Sequence, residues 1–366
     1  MLPPALARFV PPQTPALVVD VARLDANIAV MQAACDAAKV RLRAHGKMHK
    51  CPAIAQRQIA AGAVGLCCQT IGEAEAFARA GIGDLLITAP LPRWAVARLV
   101  ALARETGAQL AAVVDSAAQI ARLDAAAMAA GVTLGALVDV DIDMHRAGAV
   151  PRDVPMLAAA LAGARALRYD GIQAYFGHIQ HMSEGRAAAL AKATQTLADL
   201  RQTLTDGGYP PAQISGGGTG TYALDLNGGI YTELQCGSYA LMDAEYLDCG
   251  GPVGDWPFAP ALFLAATVVS AQHASHVTID AGLKALSADV PPRIAAGGVQ
   301  GSHYRSMGDE HGAVVGRGAR MEGDLVWLQP GHCDPTINLH DALWAVQDDG
   351  AVERWAISAR RVTPAG

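Results

Sequence analysis

Eight times between residues 41 and 242, a short β-prone run gives way to a polar strand end and then, in most cases, to an Ala-rich helical stretch. The strand-like runs end near Ala44 and then cover Val64–Gln69, Asp84–Ala89, Ala111–Asp115, Ala136–Ile142, Tyr169–Tyr175, Gln213–Ser215 and Glu233–Met242. Helical patterns lie between them at Pro52–Ala61, Ile71–Ala80, Ala95–Thr106 and Ala188–Leu204, and Gly81, Gly107, Gly131 and Gly208 punctuate helix ends. A strand followed by a helix, repeated to a count of eight, predicts a (β/α)8 barrel of the TIM type. A doubly wound sheet shares the local rhythm. The count of eight and the polar groups at nearly every strand end favour the barrel, whose chemistry collects at that end.

Outside this region the pattern changes. The run Ala16–Val21 precedes a helix predicted over Asp25–Lys39. Beyond about residue 250, short runs such as ATVVSAQ, HVTIDAG, DLVWLQPG, WAVQDD and VERWAIS are separated by turn residues and predict an antiparallel β domain. The expected division is a barrel over residues 25–250 and a β domain formed by residues 1–24 plus 251–366, joined by the N-terminal strand.

Composition narrows the partners. The net charge is −6 and no basic stripe is present, so no nucleic-acid partner is expected. The longest apolar run, Phe258 to Val269, is interrupted by Pro260 and is too short to span a bilayer, so no membrane partner is expected. Seven cysteines, an odd number without a CxxC pair, point to a reduced, cytoplasmic chain. The N-terminus has no basic segment followed by an apolar core, so no signal peptide is read.

Three stretches carry chemistry. In HGKMHK, residues 45–50, Lys47 stands just past a strand end among apolar neighbours. Lost hydration should lower its pKa and favour an amine able to form a Schiff base. Lys50 reads as a solvated loop lysine. In SGGGTG, residues 215–220, three glycines let backbone N–H groups approach an anion, and Ser215 and Thr219 add hydroxyls. Its place after the seventh strand is where barrels commonly bind phosphate, although a glycine run also suits a flexible turn. A phosphate site facing a Schiff-base lysine suggests pyridoxal 5'-phosphate. In PGHCDP, residues 330–335, His332 and Asp334 lie two apart in a proline-stiffened loop. An imidazole and a carboxylate at that spacing can hold a divalent ion, or form an ordinary turn. His45 and His49 leave open a metal-dependent barrel hydrolase.

These stretches, with GIQAYFGHIQHM (171–182), ELQCGSYALMDAEY (233–246) and DAGLKALSAD (280–289), resemble the D-threonine aldolase / 3-hydroxy-D-aspartate aldolase family, the D-serine dehydratase-like group, over nearly the whole chain. The resemblance implies the alanine-racemase-type barrel of fold-type III pyridoxal-phosphate enzymes, a β domain and a homodimer. It implies that Lys47 carries the coenzyme and that His332 and Asp334 hold manganese, magnesium, cobalt or zinc. It places Arg146 and Tyr175 beside the coenzyme and Gln235 at its pyridine nitrogen. Ser215, Gly217, Gly218 and Thr219, with Gly237, Ser238 and Tyr239, would hold the phosphate, and His181 would act as the base near the metal. The implied reaction cleaves a small-molecule D-β-hydroxy-α-amino acid into glycine and an aldehyde. The alternatives are dehydration to a keto acid and ammonia, in relatives expected to have a cysteine at the position of Asp334, and a non-catalytic coenzyme carrier. This chain departs from the family pattern at Asp143 and at His178. His145 and His178 are candidate cations for a second substrate carboxylate.

Overall fold

The computed structural model describes residues 2–287, 289–316 and 318–360. Eight parallel strands close a barrel: β2 (Arg41–His45), β3 (Gly65–Cys68), β4 (Asp84–Ile87), β5 (Gln109–Val114), β6 (Leu134–Asp139), β7 (Leu167–Ala174), β8 (Gln213–Gly216) and β9 (Glu233–Leu234). The fold expected from the alternation is the fold observed.

β1 (Ala16–Asp20) precedes the barrel and belongs to the second sheet. The other strands of that sheet are β10 (Leu262–Ser270), β11 (His276–Ile279), β12 (Arg293–Ala296), β13 (His303–Ser306), β14 (Gly312–Val315), β15 (Leu325–Gln329), β16 (Ala342–Val346) and β17 (Val352–Ala356). All neighbouring pairs in it run antiparallel except β1 with β16. β1 is buried at every position, packed between β10 and β16.

Two elements differ from the sequence reading. The first long helix starts at Val21, because Asp20 caps it by accepting a hydrogen bond from Arg23 N. The eighth strand stops at Leu234, where a ten-residue run was expected. Gly237 leaves the extended region, at φ −125° and ψ −60°, and Ser238–Ala240 form a 3-10 turn. The apolar character of that segment comes from core burial and not from pairing, since Cys236, Tyr239, Ala240, Leu241 and Met242 are all buried.

Inside the barrel, Cys67, Leu86, Val113 and Leu137 pack as one apolar layer. Below it lies an ionic plug. Arg43 Nε donates to Glu233 Oε1 at 3.0 Å and Arg43 Nη1 to Asp84 Oδ1 at 2.7 Å. Gln213 Nε2 and Ser215 Oγ also donate to Glu233 Oε1. Removing one member of a buried pair strands the other charge without water. Arg43→Leu is therefore expected to destabilise the protein by about 3–5 kcal/mol, read as a lower urea midpoint at unchanged slope.

All seven cysteines are unpaired. Among the described residues no helix is long and apolar enough to cross a membrane.

Candidate active site

The C-terminal strand ends of the barrel and the loop after β15 meet around a cavity of about 580 Å³. Lys47 reaches it from a 3-10 turn, Gly46–Met48, that follows β2 directly. His45 shapes this turn. Its Nδ1 accepts from Lys47 N, and its Nε2 meets Thr88 Oγ1 at 3.1 Å. Gly46 must be small, because a Cβ there would lie 2.6 Å from the Phe77 ring. His49 is fully buried, with one ring nitrogen bonded to Gln58 and the other accepting from Cys51 N. His45 and His49 thus both have their ring nitrogens engaged and form no metal pair. Lys50, expected in solvent, instead pairs with buried Glu73.

The second arm of the site comes from the β domain. β15 runs into Pro330 and Gly331, His332 directly precedes the short helix Cys333–Ile337, and Asp334 is that helix's second residue. Ala244 N and Glu245 N donate to the carbonyls of Pro330 and Gly331, and Asp243 accepts from Cys333 N at 3.1 Å. These bonds tie the loop to the segment that leaves the barrel. Burial pushes the Asp243 carboxyl up to about 6.

The two arms touch where Lys47 Nζ donates to Asp334 Oδ2 at 2.9 Å. The amine and the carboxylate therefore come from one chain. The expected lowering of the Lys47 pKa is not found. The Asp334 carboxylate outweighs the loss of hydration and holds the ammonium's pKa above its ordinary value. Burial pushes the Asp334 carboxyl up, but the Lys47 charge and hydrogen bond overcome it and leave the pKa low. The other oxygen, Asp334 Oδ1, is buried with no hydrogen-bond partner.

Two histidines face the same space. His332 Nδ1 lies 2.6 Å from Asp289 Oδ2, which orients the ring and leaves Nε2 for another partner. Burial disfavours the His332 imidazolium, but the Asp289 hydrogen bond and nearby carboxylates raise its pKa overall. His181 Nε2 is buried without a hydrogen-bond partner, and Glu245 Oε2 lies 3.7 Å from it. Burial lowers the His181 pKa, so the neutral ring, able to accept a proton, prevails near neutral pH. Among the described residues no three His, Cys, Asp or Glu side chains are arranged to hold a metal by themselves. His332 and Asp334 supply two donors.

The opposite wall is formed by Gly218, Thr219, Gly237 and Ser238. Thr219 Oγ1 accepts from Tyr239 N at 3.1 Å, and Gly220 N donates to Gln180 Oε1 at 2.9 Å. A Cβ at Gly220 would lie 1.9 Å from the Gln180 carbonyl oxygen, so the loop's glycines serve packing against Gln180 as well as access. Gln235 Nε2 donates to Ser215 Oγ and to Gln173 Oε1, and Gln173 Nε2 donates to Asp139 Oδ1. The Arg146 guanidinium lies 5.6 Å from the centre of the Tyr175 ring.

Most residues singled out in the sequence line this one cavity: Lys47, Arg146, Tyr175, His181, Gly218, Thr219, Gln235, Gly237, Ser238, His332 and Asp334. Ser215, Gly217 and Tyr239 are not on its wall. Ser215 is turned down to Glu233, and the Tyr239 hydroxyl accepts from Gln58 in the core. Of the two histidines considered for a substrate carboxylate, His178 lines the cavity, whereas His145 is exposed and bonded to Asp141. Sequence reasoning assigned no role to Asp289, Glu245 or Gln180. All three lie within motifs quoted above, but nothing local marks their partners.

Comparison with known proteins gives the same architecture an ancestry. Residues 19–245 match the family described as "Alanine racemase, N-terminal domain", and residues 261–346 match "Putative serine dehydratase domain". A D-threonine aldolase of Arthrobacter sp is 42% identical, covering 95% of this chain and 92% of that protein. A 3-hydroxy-D-aspartate aldolase of Paracoccus denitrificans (strain Pd 1222) is 40% identical with the same coverage. The chain belongs to the D-threonine aldolase / 3-hydroxy-D-aspartate aldolase family. It is accordingly a lyase. The crystal structure of a family member, the D-threonine aldolase from Filomicrobium marinum, superposes with a TM-score of 0.90 at 38% identity, covering 95% of this chain and 96% of that one. A D-threo-3-hydroxyaspartate dehydratase of Delftia sp. (strain HT23) is more distant, at 30% identity over 93% of this chain and 96% of that protein.

Asp289 acts on the ring of His332 through the Nδ1 bond. Asp289→Asn is expected to lower the His332 pKa while leaving the fold intact, as read by an NMR titration of the imidazole and by circular dichroism.

Proposed function

We propose that this lyase is a pyridoxal-phosphate- and divalent-metal-dependent aldolase that cleaves D-β-hydroxy-α-amino acids to glycine and an aldehyde. The observation that carries the reading is the meeting of an amine, a half-satisfied carboxylate and an oriented histidine in one cavity.

The residues present fit both groups. Lys47 offers an amine to an aldehyde, and Gly218, Thr219, Gly237 and Ser238 form a wall suited to a phosphate. Gln235, which the resemblance puts at the pyridine nitrogen, is a neutral amide, so the chain would add no formal charge to the ring there. The bound coenzyme would supply a conjugated ring that takes up the electron pair left on Cα when the Cα–Cβ bond breaks. His332 and Asp334 offer one nitrogen and one oxygen donor, and the bare Asp334 Oδ1 is the kind of buried atom a cation satisfies. A divalent ion there would act as a Lewis acid on the β-hydroxyl, with water and substrate completing its shell.

The chain's own part is orientation and proton transfer. His181, kept neutral by burial, accepts the β-hydroxyl proton at Nε2. Glu245 lies beside both His181 and His332 and favours the positive charge that His181 then acquires. Dehydration would need a base at Cα and hydroxide as the leaving group in the same cavity. The higher identity to the aldolases favours carbon–carbon cleavage.

Product identification tests this directly. Protein loaded with pyridoxal phosphate and Mn2+ should convert D-threonine to glycine and acetaldehyde, and 3-hydroxy-D-aspartate to glycine and glyoxylate. A keto acid with ammonia would sink the aldolase reading. For the dicarboxylate, His178 on the cavity wall is the candidate partner of the second carboxylate. A partly exposed ion pair contributes about 1 kcal/mol. His178→Ala should therefore raise KM for 3-hydroxy-D-aspartate roughly fivefold and leave KM for D-threonine unchanged.

A further inference from the structure

We infer that Lys47 is a stand-in cation for the metal, so that coenzyme and metal load cooperatively and each raises the protein's affinity for the other. This inference rests on the reading of the cavity as a joint coenzyme and metal site.

The argument begins with Asp334. One of its oxygens holds the Lys47 ammonium at 2.9 Å, and the other is buried and unpaired. Before loading, the carboxylate is thus neutralised by the side chain that the coenzyme must claim. A divalent ion bound to Asp334 and His332 would face that ammonium within a few ångströms. Like charges at such a distance oppose one another, and the half-buried setting of the pair reduces the screening by water. The metal therefore binds weakly while the ammonium remains, and the ammonium is held most firmly while the metal is absent.

Capture of the coenzyme aldehyde breaks this stalemate. The Lys47 ammonium gives one proton to solvent; its nitrogen then bonds to the aldehyde carbon, and the carbonyl oxygen leaves as water with the two remaining hydrogens. A group that offered Asp334 three N–H donors keeps at most one, and a carbon now occupies its surroundings. Asp334 is released toward the cation. The converse follows by thermodynamic linkage: a metal seated on Asp334 frees Lys47 for the aldehyde, and the two enhancements must be equal.

The device also explains how a carboxylate with one buried oxygen can sit here before any metal arrives. Without the lysine, Asp334 would be an unpaired, half-buried charge, which folding resists. Lysine fills that need at the folding stage and gives way when the site is charged with its working groups.

The test measures Mn2+ affinity by calorimetry, checked by the free-ion signal in electron paramagnetic resonance. Three preparations are compared: coenzyme-free protein, protein with pyridoxal phosphate, and coenzyme-free Lys47→Met, with Lys47→Gln used if the first variant does not fold. Mn2+ should bind about tenfold more tightly, or better, to the second and third than to the first, within the usual range of coupled sites. Mn2+ should in turn lower the pyridoxal phosphate concentration giving half of the visible band by the same factor as that coenzyme improves Mn2+ binding. Equal Mn2+ affinity in the coenzyme-free and coenzyme-loaded proteins, or in the coenzyme-free wild type and the lysine variant, overturns the inference and leaves the joint site standing. Absence of Mn2+ binding in every preparation overturns both.

Discussion

Lys47→Ala is expected to fold, to stay colourless when mixed with pyridoxal phosphate, and to lose about three orders of magnitude or more in kcat/KM for D-threonine cleavage. Among the described residues on the cavity wall, Lys47 is the only lysine, so no neighbouring primary amine stands ready to replace it. The 3-10 turn that presents it is shaped by His45 and by the packing of Gly46 against Phe77, and neither depends on the lysine side chain. Folding can therefore be checked separately by circular dichroism and thermal melting. A variant that still develops the visible band, or keeps a tenth of wild-type activity, would place the coenzyme's anchor elsewhere.

The second large effect concerns the other arm. Exhaustive chelation, with pyridoxal phosphate kept in excess, should reduce carbon–carbon cleavage by about two to three orders of magnitude while the visible band persists, because the proposed Lewis acid would act on the hydroxyl and not on the aldehyde of the coenzyme. Asp334→Ala should reproduce that loss and should not recover on adding Mn2+ back to the chelated protein. The wild type should recover. Asp334→Ala also removes the partner of the Lys47 ammonium, so coenzyme uptake by this variant should no longer respond to Mn2+. Cleavage that survives chelation undiminished would show that His181 and the surrounding dipoles suffice without a metal.

The parts of this molecule that were legible in the sequence share one property: their signals are local. Strand and helix alternate with distinct periods, so eight units can be counted without knowing how they meet. Lys47 stands directly after a strand, and His332 and Asp334 sit in a loop bracketed by Pro330 and Pro335. What was misread depends on distant partners. The Lys47 pKa was expected to fall with burial. It rises because a carboxylate 287 positions away meets it in space. Tyr239, placed by the resemblance at the phosphate, has its hydroxyl bonded to Gln58, 181 positions away, a partner that no local pattern marks. Asp289 carries no local mark of its bond to His332. An apolar run at Glu233–Met242 reads as strand because burial and pairing write the same letters there; only the backbone at Gly237 separates them.

The position of β1 has a consequence for synthesis. Its neighbours in the sheet are β10 and β16, the first of which lies about 250 residues later in the chain. At typical translation speeds this strand waits on the order of 10–50 s on the ribosome before either neighbour emerges. Meanwhile it presents the apolar run ALVV with unsatisfied main-chain groups, a hazard for nascent chains crowded on one message. The barrel can close during that interval, so β1 is captured by β10 and β16 only after every barrel strand has been made.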